Sequence, residues 1–332
     1  MPTMSAVASY AALPVDDADA LQDVTVDIPE LRAHDVLVRV EAVSVNPVDM
    51  KRRKQIAASS EPVILGFDAA GTIEAVGSAV TTLQAGDEVW YAGDVSRQGS
   101  NAQLQAVDER IVARKPASLS FAEAAALPLT TITAWETLFE RFALSDQSTG
   151  DLLIIGGAGG VGSIMIQLAK KLSGVRVVAT ASRDESRQWA LDMGADVVID
   201  HQNLRAAAAD IAPSGFDYLF SPYSEGNVEV YADIVRPFGH ITAIDDPVGL
   251  DLAPLKSKSI AWHWELMFTR PLYGVDLIAQ QQLLAKTAAM CDSGVIRTTL
   301  NKTIADFSSV GIREAHRDIE GGRTIGKVVI HR

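Results

Sequence analysis

Cysteine is nearly absent. Cys291 is the single one in 332 residues, which excludes an intramolecular disulfide and any zinc site built on several thiolates. No apolar run approaches the ~20 residues needed to span a bilayer. The opening Met1-Pro2-Thr3-Met4-Ser5 lacks a basic segment leading into an apolar core, so the chain is read as cytoplasmic, without a secretory signal. An excess of positive charge is missing too: 29 Lys and Arg stand against 42 Asp and Glu, a formal charge of −13. A polyanion would be repelled at long range, which argues against nucleic acid or an anionic membrane as a partner. There is no internal repeat and no low-complexity tract. What is present is ordinary for a globular chain, 48% hydrophobic and 21% charged, and long enough for two domains at the usual ~100–200 residues each. Such a chain can bury a large core and needs neither disulfides nor a structural metal for stability.

Two grammars run along it. The first part reads as β-rich: Val36 to Val43, Gly71 to Gly77 and Asp87 to Tyr91 are strand-like, the last two flanked by glycine turns. Ser120 is placed to cap a helix beginning at Phe121. Pro128 interrupts it, and Thr130 to Phe142 reads as a second helix. From Asp151 strands and helices alternate. Strands are expected at Leu152–Ile155, Val175–Thr180, Val197–Ile199, Phe216–Phe220 and His240–Ile244, with helices at Gly162–Leu172, Glu185–Met193 and Asn227–Val235. This is the pattern of a doubly wound parallel sheet. After about Trp264 the alternation ends; Leu277–Cys291 reads as a long helix and Thr324–Ile330 as a final strand. The expectation is an α/β protein in which a Rossmann sheet, residues 128–265, is inserted into a β-rich domain made of 1–127 and 266–332.

The most informative segment is Leu152-Leu153-Ile154-Ile155-Gly156-Gly157-Ala158-Gly159-Gly160-Val161-Gly162. A lone Gly-x-Gly-x-x-Gly is weak evidence, but here Gly157, Gly159 and Gly162 follow a strand and open a helix, the context a dinucleotide site requires. The first glycine allows the tight turn, the second lets a pyrophosphate approach the backbone, and the third lets helix and strand pack closely. Gly160 and Val161 then lie at the helix start, where free N–H groups and the positive dipole end favour phosphate. NAD sites usually carry an acid about 20 residues further on, bonded to the ribose. Here the second strand runs into Thr180-Ala181-Ser182-Arg183. Arg183 can grip a 2′-phosphate with its planar donor fork, with Ser182 beside it and Arg187 one turn on. The competing reading makes Arg183 a solvated charge and gives the ribose to Asp184. NADPH is the cofactor expected.

Several stretches, in order, resemble the medium-chain dehydrogenase/reductase superfamily, and within it the zinc-independent quinone oxidoreductase branch that includes zeta-crystallin. They are Val45-Asn46-Pro47-Val48-Asp49, Leu65-Gly66-Phe67-Asp68-Ala69-Ala70-Gly71, Gly86-Asp87-Glu88-Val89, Ala126-Leu127-Pro128, Thr133-Ala134-Trp135, the glycine motif, Gly194 to Asp200, and Gly326-Lys327-Val328-Val329. Glu265 to Arg270 and Arg297 to Leu300 also look like bacterial proteins named zinc-type alcohol dehydrogenases. The resemblance implies that the β-rich part is a GroES-like catalytic domain, that the active site lies in a cleft between domains, and that the protein is a homodimer. Zinc-dependent relatives carry Cys where this chain has Asn46 and His where it has Phe67. With no second cysteine available, no metal site is expected. The six histidines are scattered without ligand spacing.

The chemistry implied is a hydride transfer that relies on placement. Quinones and activated alkenes suit it, because conjugation spreads the developing charge and a few hydrogen bonds suffice at the forming oxyanion. By resemblance, Asn46 and Asp49 face the nicotinamide, and Asn46 could donate to a substrate oxygen. The plain alternatives are a turn for Asn46-Pro47 and a helix cap or ion pair for Asp49. Lys51 stands near where some relatives have Tyr, as a proton donor or as a solvated charge. Thr131 or Thr133 would touch the nicotinamide amide, and Lys327 resembles a position close to the cofactor. Phe268 lines the substrate side or belongs to the core. The function expected is an NADPH-dependent reductase of a small quinone or enone. An alcohol dehydrogenase and a nucleotide-binding sensor without turnover are the alternatives.

Overall fold

The computed structural model describes residues 2–332, which divide into two compact units: the described residues up to Ile132 together with Phe268–Arg332, and Thr133–Met267.

The first unit is built mainly on antiparallel strands. In chain order they are β1 (Thr3–Ser9), β2 (Gln22–Asp27), β3 (Asp35–Ser44), β4 (Val63–Ile64), β5 (Ala69–Val76), β6 (Glu88–Tyr91), β7 (Leu104–Asp108) and β8 (Val112–Arg114). In the second unit follow β9 (Asp151–Ile154), β10 (Arg176–Thr180), β11 (Val197–Ile199), β12 (Phe216–Ser221), β13 (Val235–Ala243) and β14 (Ala261–Trp264). The tail adds β15 (Leu300–Ile304) and β16 (Lys327–His331). The tail joins the first unit's sheet, in the order β15-β16-β3-β5-β6-β8, with β7 also on β3. β15 with β16, in the tail, is the one parallel pair of this unit among the described residues. β16 pairs antiparallel with β3, Val329 opposite Ser44. This pairing carries Lys327 to the end of β3, just before Asn46. The core of this sheet gathers Val36, Val38, Val40, Ile73, Val89, Val328 and Ile330, all buried.

The second unit holds a six-stranded parallel sheet in the order β11-β10-β9-β12-β13-β14. Val178, Leu153, Leu219 and Ile241 lie in register across four neighbouring strands and are all fully buried. A parallel sheet covered on both faces needs such continuous apolar strands. The order reverses between β9 and β12. In open α/β sheets, ligands bind outside the carboxyl ends of the strands at such a reversal, and the glycine-rich turn begins where β9 ends.

Five helices position the candidate site: α1 (Pro47–Arg53), α2 (Phe121–Ala125), α3 (Pro128–Trp135), α4 (Gly160–Leu172) and α5 (Asp184–Asp192). Ser120 caps α2, accepting from Glu123 N–H at 3.2 Å while Glu123 reaches back to Ser120 N–H at 2.9 Å. The segment expected as one helix from Thr130 to Phe142 is two things: α3, then a π-helical turn over Glu136–Arg141. Strand β14 is an addition to the elements expected from the sequence.

Candidate active site

The glycine motif is a turn tied to the second strand. Gly156 N–H donates to Thr180 Oγ1 at 2.9 Å, and Gly157 N–H to Thr180 O at 3.0 Å. Gly159 is the N-cap of α4 in an extended conformation, φ −74° and ψ 175°. The three motif glycines are required for different reasons. A Cβ on Gly157 would lie 2.6 Å from the Ala179 Cβ, and one on Gly162 would lie 2.4 Å from Gly156 O. A Cβ on Gly159 meets only Gly156 O, at 3.3 Å. Gly157 and Gly162 are therefore fixed by internal packing, while Gly159 keeps the outer face of the turn open. The first amides of α4, at Gly160, Val161 and Gly162, have no acceptor within the helix and carry its positive end. Thr180, whose hydroxyl orders this turn, is a site residue that sequence reasoning misses; a Thr ending the second strand is the available signal.

Ser182 and Arg183 follow β10 and are exposed. Arg183 N–H donates to Ser186 Oγ at 3.2 Å, and Ser186 Oγ–H donates to Arg183 O at 2.8 Å, which sets the backbone entry into α5. Arg187 is half-buried and donates to Ala181 O at 3.2 Å and Val198 O at 2.9 Å, so its guanidinium joins the ends of β10 and β11. No acid stands between Thr180 and Arg183; Asp184 is exposed in the first turn of α5.

The first unit contains a buried polar cluster. Lys327 Nζ donates to Val45 O at 3.1 Å, Asn46 Oδ1 at 2.5 Å and Asp68 Oδ2 at 3.2 Å. These three acceptors use all three ammonium hydrogens. Asn46 Nδ2 donates to Asp68 Oδ2 at 2.8 Å and Ser44 O at 3.2 Å, so both amide hydrogens are engaged inside the protein. The other oxygen of Asp68 accepts from Leu129 N–H, in the first turn of α3, at 2.7 Å. Asn46, Asp49, Asp68 and Lys327 are each no more than 3% exposed. Burial pushes the Asp68 carboxyl up and the Lys327 ammonium down, and each opposes the other's shift. In the sequence Asp68 is only one letter of a family stretch, yet in the fold it joins three elements.

Asp49 sits at the third position of α1, behind Pro47 at its first turn. Its Oδ2 accepts from Asn46 N–H at 2.8 Å and its Oδ1 from Gly66 N–H at 3.0 Å. This is the reach-back arm of a capping box that also holds the loop after β4. Burial pushes Asp49 up to about 7, against the pull of these two donors and of Lys327. Replacing Asp49 by alanine leaves two buried N–H groups unpaired. We expect a loss of about 1–3 kcal/mol for each, read as a lower urea midpoint; an unchanged midpoint would show that water replaces the carboxylate. Lys51 is exposed on the last turn of α1. Thr131 is fully buried, and its Oγ1 has no hydrogen-bond partner among the described residues. Thr133 is buried as well.

Comparison with known proteins decides the family. The alcohol dehydrogenase GroES-like domain matches residues 32–132, and the zinc-binding dehydrogenase family matches residues 193–330. A zinc-type alcohol dehydrogenase-like protein of Staphylococcus epidermidis is 38% identical over 99% of both chains. The chain belongs to the medium-chain dehydrogenase/reductase superfamily. Among solved structures, an alcohol dehydrogenase superfamily protein from Novosphingobium aromaticivorans is 32% identical, covers 100% of both chains and has a TM-score of 0.87. The 2-methylene-furan-3-one reductase of Solanum lycopersicum is 33% identical over 92% of this chain and 74% of its own. This member of the superfamily therefore has the α/β fold of a GroES-like unit with a Rossmann-type parallel sheet.

Position 67, where zinc-dependent members of the superfamily carry His, is a buried Phe in edge contact with Phe268, ring centroids 5.5 Å apart. Phe268 is 2% exposed. Among the described residues, no three His, Cys, Asp or Glu side chains are grouped to hold a metal. Cys291 is buried in the helix Ile278–Asp292, where burial pushes its thiol up to about 12.

Proposed function

We propose that this oxidoreductase reduces quinones or electron-poor alkenes and carbonyls with NADPH and without zinc. The observation that carries this reading is the occupation of position 46 and its surroundings. A catalytic zinc needs three protein ligands. Phe67 has no donor atom, the Asn46 carbonyl accepts from the Lys327 ammonium, and the one cysteine lies in another helix. A fixed ammonium, held by Asp68 and Asn46, stands among the groups where the ligands would be. The donor set does not fit the metal.

It does fit a phosphorylated nicotinamide cofactor. The open face at Gly159 and the amides of Gly160, Val161 and Gly162 suit a pyrophosphate, and Gly157 and Gly162 hold that turn in shape. Ser182 and Arg183 are exposed where a 2′-phosphate would be read, with Arg187 bracing the strand ends behind them. The buried, unpartnered hydroxyl of Thr131 offers the hydrogen bond that a carboxamide would satisfy. When bound, the nicotinamide supplies the hydride. Asn46 and Lys327 keep a preorganised polar wall, Asp49 holds the start of α1, and Lys51 is the exposed ammonium on that helix that can deliver a proton. Two relatives support the reading of substrate and cofactor: the tomato furanone reductase, and the Arabidopsis thaliana NADPH-dependent alkenal/one oxidoreductase, 30% identical over 92% of this chain and 74% of its own.

The test is an anaerobic NADPH oxidation screen across quinones, enones, aldehydes and alcohols, before and after chelator treatment. Turnover of quinones or enones that survives chelation is expected. Chelator-sensitive alcohol oxidation with one zinc per chain would overturn the metal-free reading, and tight NADPH binding with no acceptor turned over would point to a sensor. A second expectation concerns Arg183. A charge-assisted hydrogen bond contributes roughly 1.5–3 kcal/mol, or about one to two decades of affinity. Arg183→Ala should therefore weaken NADPH by that order and leave NADH unchanged, as measured by calorimetry. Equal losses for both cofactors would transfer the ribose to Asp184.

A further inference from the structure

Ser163, near the start of α4, is fully buried. Its hydroxyl stands between the indole of Trp189 and the backbone of the glycine turn, all within the second unit. Trp189 Nε1–H donates to Ser163 Oγ at 2.8 Å, and Ser163 Oγ–H donates to Gly159 O at 2.7 Å. An indole N–H can only donate. The serine oxygen is therefore the acceptor of the first bond, and its single hydrogen is left for the second. The same carbonyl also accepts from Ser163 N–H at 2.9 Å. A serine that bonds the carbonyl four residues back is a familiar helical pattern. Here the serine oxygen is held in turn from a second helix, since Trp189 lies on α5, 26 positions further on.

Gly159 O belongs to the same peptide group as Gly160 N–H. A peptide group is planar, and in its trans form C=O and N–H point in opposite directions. No peptide bond among the described residues is cis. Two donors that hold Gly159 O along α4 thus turn Gly160 N–H the other way, out of the N-terminal end of the helix. Glycine has the freest backbone of any residue, so Gly159 does not fix this peptide by itself. Hydrogen bonds in a chain also polarise one another. The sequence indole, hydroxyl, carbonyl makes the Gly160 amide a stronger donor as well as an aimed one.

We propose that Trp189 and Ser163 are positioning residues for the cofactor, which aim and polarise the Gly160 amide toward the pyrophosphate. The proposal rests on the reading of the glycine turn as the pyrophosphate site. Both side chains act through the Gly159 carbonyl. NADPH and NADH share the pyrophosphate, so the relay serves them equally, in contrast to Arg183, whose role is tied to the 2′-phosphate. Arg183 is the N-cap of α5, so one helix reads the adenosine end and braces the turn.

The experiment titrates NADPH and NADH into the full chain by calorimetry, for wild type, Trp189→Phe, Ser163→Ala, the double variant and Gly159→Val. Trp189→Phe keeps an aromatic ring and removes the N–H donor. One net hydrogen bond is worth about twofold to tenfold in affinity, and each single variant should lose that factor for both cofactors alike. The double variant should lose no more than Ser163→Ala, because the indole acts only through the hydroxyl. Without cofactor, the 15N resonance of the Gly160 amide should shift in both single variants, a signature that lower stability alone does not produce. If Trp189→Phe does not fold, Ser163→Ala carries the same comparison. Wild-type affinity in Trp189→Phe and Ser163→Ala, with binding lost in Gly159→Val, would overturn the relay and leave the pyrophosphate reading standing. Wild-type affinity in Gly159→Val as well would overturn both. A loss confined to NADPH would place the effect at the 2′-phosphate and overturn the relay, as would additive losses in the double variant.

Discussion

Gly159→Val is expected to leave the chain folded and to lower its affinity for NADPH at least about tenfold. The backbone at this position, φ −74° and ψ 175°, suits any residue, and the nearest atom to an added Cβ is Gly156 O at 3.3 Å. The protein itself thus accommodates the side chain with a small adjustment. The side chain instead occupies the outer face of the turn, where the amides of α4 would meet a pyrophosphate. Losing one or two charge-assisted hydrogen bonds at roughly 1.5–3 kcal/mol each removes about one to four decades of affinity. Gly162→Val is the informative contrast. Its Cβ would lie 2.4 Å from Gly156 O and 2.7 Å from Gly157 Cα, both backbone atoms, so the turn must move and stability falls together with binding. Calorimetric titration with NADPH, alongside thermal melts of both variants, separates the two roles. Unchanged affinity in Gly159→Val would mean that this turn is not the phosphate site.

Asp68→Asn is expected to cost about 3–5 kcal/mol of folding stability, the usual penalty for leaving a buried charge without its partner. The asparagine oxygen can still accept from Leu129 N–H. Its NH2 group would face the Lys327 ammonium and the Asn46 NH2, donor against donor, and Lys327 would keep only the neutral acceptors Val45 O and Asn46 Oδ1. Lys327→Met should be similarly damaging, because it strands Asp68 in a fully buried site. The double variant Asp68→Asn/Lys327→Met removes both charges and should lose clearly less than the sum of the two singles. Urea denaturation of the four proteins measures the coupling. Additive losses would mean that the pair is not an interacting unit and that Asn46 alone orders the cluster.

The glycine motif and the strand–helix alternation are legible because both are local. A turn that must pass under a helix start, and strands covered on both faces, leave their marks within a few consecutive residues. The outer strand β14 is not legible: Ala261-Trp262-His263-Trp264 is half-exposed and has no continuous apolar run. The reading of Thr130 to Phe142 as one helix fails at Glu136, since a π-helical turn widens the spiral by one residue without changing which residue types are helical. Arg187 shows the limit for charged side chains. Its spacing from Arg183 suggests help at a phosphate, whereas its guanidinium holds two backbone carbonyls across neighbouring strands.

By itself, the sequence determined the class of the protein: a parallel nucleotide-type sheet within a β-rich chain, a glycine-rich strand-to-helix turn at Gly157 to Gly162, Ser182-Arg183 directly after the second strand, and a single cysteine, too few for a zinc site built on several thiolates. These rest on residue types and on spacings short enough for the chain to impose them directly. Only the tertiary structure decided what Asp68 and Lys327 do. Asp68 and Lys327 are 259 positions apart, and the pairing of β16 with β3 is what brings them together. Charged side chains carry no periodic signal of their own, and their roles are set by which opposite charge or hydrogen-bond partner burial leaves within reach.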